Sequence, residues 1–197
     1  MRSAAETAGV EPAAVAVAST GVIGVPLDMG ALIPGVAVAG AALAPDGEGD
    51  FAEAIRTTDA FPKQVFLEIE LSGGPVRLTA QAKGAGMISP SHATMLCFVQ
   101  TDAALATETA DLLLGVTVKR SFDRCTVDGQ LSTNDTVIFM ASGASGVAVE
   151  PESDDELRFG LALDALMRAL ALAVVRDGEG ARRIGRVIVR GGHEESV

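Results

Sequence analysis

The sequence predicts a mixed α/β fold of the α+β, layered-sandwich kind, and three observations carry that expectation. Val65, Leu67, Ile69 and Leu71 stand at alternate positions, so one face of residues 65–71 is apolar, as in a half-buried strand. Ser72-Gly73-Gly74-Pro75 then turns the chain, and residues 76–82 return as the second arm of a hairpin. Further on, Ser153-Asp154-Asp155-Glu156 has the form of a capping box with an acidic first turn, opening a helix to about Val175. Strands and helices are interspersed, so helices have sheet faces to cover.

The other elements follow in order. Residues 13–18 alternate Ala and Val, which predicts a short buried strand ending at the turn Ser19-Thr20-Gly21. Residues 28–43 predict a helix, kinked or restarted at Pro34. Residues 44–50 carry Pro45, Gly47 and Gly49 among acidic residues, a loop. Residues 51–56 predict a short helix leading to Thr57-Thr58-Asp59. A β-rich run at 94–99 follows the loop containing Pro90. Residues 103–118 predict a helix, with Lys119 and Arg120 suiting its C-terminus. Residues 136–141 and 184–190 predict two more strands. No internal repeat or linker divides the chain.

The 197 residues suffice for one sizeable core. Hydrophobic residues make up 48%, but only 4% are aromatic, with no Trp or Tyr, so Ala, Val, Leu and Ile must build that core. A net charge of −11 repels phosphate backbones, and no nucleic-acid partner is expected. No membrane span is expected either: the apolar run 29–43 is short and interrupted by Pro34, and the run 157–175 carries Arg158, Asp164 and Arg168. The N-terminus lacks the apolar stretch of a signal peptide, so a cytoplasmic location is expected. Cys97 and Cys125 form no disulfide framework and read as reduced core residues. His92 and His193 show no zinc-ligand spacing, and no metal is expected. Asp128, Asp135 and Asp177 read as solvated loop acids. The glycine pairs at 84/86 and 178/180 match neither a dinucleotide fingerprint nor a P-loop.

Chemistry concentrates in residues 83–96. Thr94 follows the small residue Ala93 in a Gly-rich, apolar setting, with Lys83 upstream. A threonine so placed suits self-cleavage. If the Ala93–Thr94 bond breaks, Thr94 gains an α-amine, of ordinary pKa ~7.7–8.0, beside its own hydroxyl, and that amine is a base for activating it.

Six segments together resemble the ornithine acetyltransferase, or glutamate N-acetyltransferase, family. They are Ala18-Ser19-Thr20-Gly21-Val22-Ile23-Gly24, Thr57-Thr58-Asp59, Lys83-Gly84-Ala85-Gly86-Met87-Ile88 and Ala93-Thr94-Met95-Leu96. After these come Val127-Asp128-Gly129 with Ser132-Thr133-Asn134-Asp135-Thr136, and Arg176-Asp177-Gly178-Glu179-Gly180-Ala181. Their order is that of the family, whose pattern extends beyond both ends of this sequence.

The resemblance implies stacked β-sheets flanked by helices, and self-cleavage at Ala93–Thr94 into segments 1–93 and 94–197. It implies Thr94 as the nucleophile that carries an acetyl group from N2-acetylornithine to glutamate, in arginine biosynthesis. Thr20 and Gly21 are implied as the oxyanion hole, and Thr57, Lys83, Thr94 and Glu179 as substrate contacts. The two segments are expected to pair as an α/β heterodimer within a larger oligomer. No cofactor is implied, though acetyl-CoA is an alternative acetyl donor. Two other readings stay open on sequence: a non-catalytic family core or subunit, and a related N-terminal-nucleophile amidase or aminopeptidase.

Overall fold

The computed structural model describes residues 1–89 and 92–191. The expected loop at Pro90 and His193 lie outside them. Helices α1 (Arg2–Ala8), α2 (Met29–Ala41) and α3 (Glu48–Ala54) precede strands β1 (Lys63–Leu71) and β2 (Gly74–Lys83). A short ribbon, β3 (Ile88–Ser89) and β4 (His92–Ala93), leads to β5 (Leu96–Thr101), α4 (Thr107–Arg120), β6 (Thr136–Ala141) and α5 (Asp154–Arg176).

The main sheet has the order β1-β2-β5-β6. The first two pairs are antiparallel, and β5 and β6 run parallel with α4 in the connection between them. The expected hairpin forms across the 72–75 turn, and its alternation places Val76, Leu78, Ala80 and Ala82 on the buried face. Against that face lies α5, which buries Phe159, Leu163, Leu166, Met167, Leu170 and Val174, a helical stripe. Phe159 meets Phe139 of β6 edge-to-face, with ring centroids 6.4 Å apart. Because the chain has few aromatic residues, most of the remaining core is aliphatic, as composition requires.

The expected start of α5 is present with one adjustment. Ser153 Oγ accepts from the Glu156 N–H, while the Glu156 carboxylate accepts from Glu152 rather than from the cap itself. α2 is capped by Asp28, contains Pro34, and buries no side chain. α1 packs on α2, and Gly40 permits that contact, since a Cβ there would lie 2.1 Å from Thr7 Cγ2.

Two expected strands are absent. Residues 13–18 form a 3-10 turn at Pro12–Ala14 followed by irregular chain, and Val17 is exposed. Residues 184–190 are also irregular, with Val187 exposed. Alternation supplies a face, but a strand also needs a ladder partner, and neither segment pairs with a sheet edge. Cys97 is buried, and burial pushes its thiol up to about 12; Cys125 is only half-buried. Among the described residues, no helix is long and apolar enough to cross a membrane.

Candidate active site

The sheet register brings the chemistry-bearing segments to one edge of the core. β1 starts at Lys63, β2 ends at Lys83, β5 starts at Leu96 and β6 starts at Thr136. The pairs Lys63↔Ala82, Lys83↔Leu96 and Leu96↔Thr136 put these four termini at the same end of the sheet. The connection from β2 to β5, residues 84–95, therefore loops out there and returns. The C-terminal end of α5 reaches the same place, where Asp177 accepts from the Ala60 N–H at 2.9 Å.

A buried ion network underlies this end. Lys63 Nζ donates to Asp59 at 2.7 Å and to Asp177 at 2.5 Å, with all three side chains almost wholly inaccessible. Asp59 also accepts from the N–H of Gly84 at 2.7 Å and of Thr57 at 3.2 Å. Burial works to raise the Asp59 carboxyl pKa. The Lys63 bond, with the Gly84 and Thr57 amides, prevails and holds it below the ordinary value. A second buried cation, Lys83, donates to Thr57 Oγ1 at 2.7 Å. Its pKa is pushed down, chiefly by desolvation, against the pull of Asp59.

The structure thus joins Thr57 and Lys83 directly. Glu179 comes to the same segment by a different route. Its N–H donates to Ala85 O at 2.7 Å, and its carboxylate fills the space beside Gly86, where a Cβ would lie 2.8 Å from Glu179 Oε2. The turn 177–180 is fixed there because Asp177 is clamped by Lys63.

Thr94 sits at the end of the β3–β4 ribbon. Its N–H donates to Met87 O at 2.7 Å, and its carbonyl crowds Gly84, whose left-handed φ of 153° and missing Cβ allow that approach. Thr94 Oγ1 is buried without a hydrogen-bond partner among the described residues. An orphaned buried hydroxyl is costly, so its persistence calls for an explanation. The next residue is held firmly. Met95 N–H donates to Asp135 Oδ1 at 2.9 Å, and Met95 O accepts from Thr136 N–H at 3.0 Å.

Thr20 and Gly21 stand in irregular chain, with Gly21 open to solvent. No hydrogen bond joins them directly to Thr94 among the described residues. They approach its surroundings through one relay: Asn134 Nδ2 donates to Ser19 O, and Asn134 adjoins Asp135, which holds Met95. The Ser132–Thr136 loop therefore bridges the Ser19-Thr20-Gly21 segment to Met95, the residue after Thr94.

Of the three acids expected to be solvated loop residues, Asp128 is exposed as expected, though it is hydrogen-bonded, whereas Asp135 is partly buried and the Asp177 side chain is almost wholly withdrawn from solvent. Asp177 is the buried partner of Lys63. Asp135 accepts from Met95, and Asp128 accepts from the N–H groups of Met87 at 2.7 Å and Ile88 at 3.0 Å. Partial desolvation opposes ionisation of Asp128, but those amides and that of Gln130 hold its carboxyl below the ordinary range. Lys63 carried no sequence signal of its own. Its position four residues after Asp59, at the first residue of an alternating strand, was the available hint. An open cavity of about 400 Å³ lies at the opposite end of the sheet, lined by Arg77, Thr79, Gln100 and Met140 among others, and contains none of these groups.

The model of the ArgJ family matches residues 1–197. The chain belongs to the ArgJ family. Two of its relatives are named arginine biosynthesis bifunctional protein ArgJ. The protein of Symbiobacterium thermophilum is 48% identical over 191 residues, covering 96% of this chain and 48% of the relative. That of Nitratidesulfovibrio vulgaris is 47% identical over 188 residues, covering 95% and 47%. The chain thus spans about half the length of these ArgJ relatives. A crystal structure of the Bacillus halodurans ArgJ aligns with a TM-score of 0.42 at 40% identity, over 44% of this chain and 41% of that one.

Proposed function

We propose that this chain is the self-cleaving, nucleophile-bearing core of an acetyltransferase that moves an acetyl group from N2-acetylornithine to glutamate. The observation that carries the reading is the buried, unpartnered Thr94 hydroxyl, on a residue whose carbonyl lies against Gly84, next in the chain to the Lys83 that donates to Thr57. Membership of the ArgJ family supports the substrate class.

In this reading Thr94 Oγ1 attacks the acetyl carbonyl while the α-amine of Thr94 takes the hydroxyl proton. The acetyl C–N bond breaks, and the proton passes to the departing ornithine amine. Thr20 and the N–H of Gly21 stabilise the oxyanion, a contribution for which losing one donor typically costs ~2.7–4 kcal/mol. The glutamate amine then attacks the acetyl ester, and Oγ1 leaves as the free hydroxyl. Lys83 is the group for a substrate carboxylate and Glu179 for a substrate ammonium, a complementary pair for an amino acid.

Cleavage at Ala93–Thr94 yields segments 1–93 and 94–197. The β2–β5 ladder, from Leu78↔Thr101 to Lys83↔Leu96, crosses between them, so they remain together as an α/β heterodimer. Assembly into a larger oligomer belongs to the same reading, and the exposed apolar residues Met29, Leu32, Ile33 and Val38 of α2 favour it. The free thiols Cys97 and Cys125 suit a reducing, cytoplasmic setting.

The test is to incubate the chain with N2-acetylornithine and map its peptides by mass. The peptide beginning at Thr94 should gain one acetyl group and lose it when glutamate is added. Release of free acetate with no acceptor amine, in place of transfer, would overturn the reading in favour of a hydrolase.

A further inference from the structure

An N-terminal threonine acts only when the lone pair of its amine faces its own hydroxyl. The amine hydrogens must then be bound by something else, the orienting third member of the nucleophile–base pair. The structure contains a group suited to this role. Met87 O lies 2.7 Å from the Thr94 nitrogen. Its direction depends on an unusual backbone, because Met87 has a φ of 56°, in the left-handed region that side-chain-bearing residues avoid. Among the described residues, the one other such non-glycine residue is Glu152, at the start of α5, where Glu156 accepts its N–H. At Met87 the corresponding acceptor is Asp128, whose two carboxylate oxygens take the Met87 and Ile88 N–H groups at 2.7 and 3.0 Å. The loop that carries Asp128 is tied to the same place. Thr126 Oγ1 and the Val127 N–H both donate to Ile88 O at 3.0 Å.

We propose that Asp128 is a positioning residue for Thr94: by holding Met87 in its left-handed backbone, it aims the Met87 carbonyl at the Thr94 nitrogen. This rests on the reading of Thr94 as an N-terminal nucleophile. Before cleavage, the carbonyl accepts from the peptide N–H and fixes the scissile bond. In the cleavage step, a bond forms from Thr94 Oγ1 to the Ala93 carbonyl carbon and the Ala93–Thr94 C–N bond breaks. The hydroxyl proton ends on the Thr94 nitrogen. Water then hydrolyses the ester, leaving the Ala93 carboxylate and the free threonine. Afterwards the same carbonyl binds an amine hydrogen, which leaves the lone pair free to face Oγ1. Thr94 supplies the chemistry, and Asp128 and Met87 orient it.

The experiment follows the loss of intact mass by the purified chain over time. D128A should slow cleavage by about 100-fold, the scale of a ~1 Å misplacement. D128N, which keeps one acceptor oxygen, should fall between, and it serves alone if D128A does not fold by thermal melting. The decisive arm is M87G in the D128A background. Glycine adopts the left-handed conformation without help, so the double variant should recover about tenfold or more. A merely structural loss would not be repaired by removing a side chain. The proposal is overturned if D128A and D128N cleave at the wild-type rate, or if M87G restores nothing. Failure of the underlying reading looks different: T94A would cleave as fast as wild type, or the wild-type chain would stay intact.

Discussion

Asp59 shows how a single carboxylate organises several segments. It binds the Lys63 ammonium and the amides of Thr57 and Gly84, so the Thr-Thr-Asp and Lys-Gly-Ala-Gly segments share one anion. Its pKa is lowered from 3.8 in the folded protein, against the opposing effect of burial. The unfolded chain therefore binds its proton more tightly. The stability Asp59 contributes is complete above the unfolded value and is lost as pH falls through the folded one. Urea midpoints measured from about pH 6 down to about pH 3 should decline most steeply below about pH 4, and D59N should flatten that decline. An unchanged profile in D59N would mean the acid sensitivity arises elsewhere. The sequence showed Thr57 and Lys83 as residues of interest, but not the bond between them or the buried Asp59 that holds the Thr57 and Gly84 amides. Lys63 and Asp177 are separated by 114 positions, and only the meeting of β1 with the end of α5 makes them a pair.

At the level of elements, the sequence was legible wherever a local signal and a tertiary partner agreed. The β1–β2 hairpin announces itself by period-two alternation and a Gly-Gly turn, and both arms find ladder partners. α5 announces itself by its cap and by the spacing of Phe159, Leu163, Leu166 and Leu170, and the sheet receives that face. Residues 13–18 and 184–190 carry the alternation without a partner, and they form no strand. The two devices of α5 should differ sharply in weight. S153A removes one cap and should cost about 1 kcal/mol. F159A removes a ring buried against Phe139 and should cost about 3–5 kcal/mol. Chemical denaturation of the two variants checks this, and equal losses would mean that α5 is not anchored through its sheet-facing stripe.

In the whole molecule, four strand termini, the β2–β5 connection and the end of one helix converge on a single patch of core. That convergence brings segments as distant in sequence as Thr57 and Glu179 to one place. The candidate site was legible as a set of segments because each has its own short pattern. Its geometry was not, because it depends on sheet order and on the parallel β5–β6 pair. Among the described residues, the irregular segment at Thr20 and Gly21 is tied to the neighbourhood of Thr94 through Asn134 and Asp135, a relay no spacing rule would suggest. On the proposed reading, a break between Ala93 and Thr94 would fall at the end of the ribbon and leave the β2–β5 ladder whole. The central claim is that Thr94 becomes a nucleophile with a free amine. The most direct measurement is the denatured mass of the purified chain beside that of T94A. The account predicts that the 20.0 kDa wild-type chain gives two fragments divided between Ala93 and Thr94, with T94A intact. A wild-type chain that remains a single intact species would contradict it.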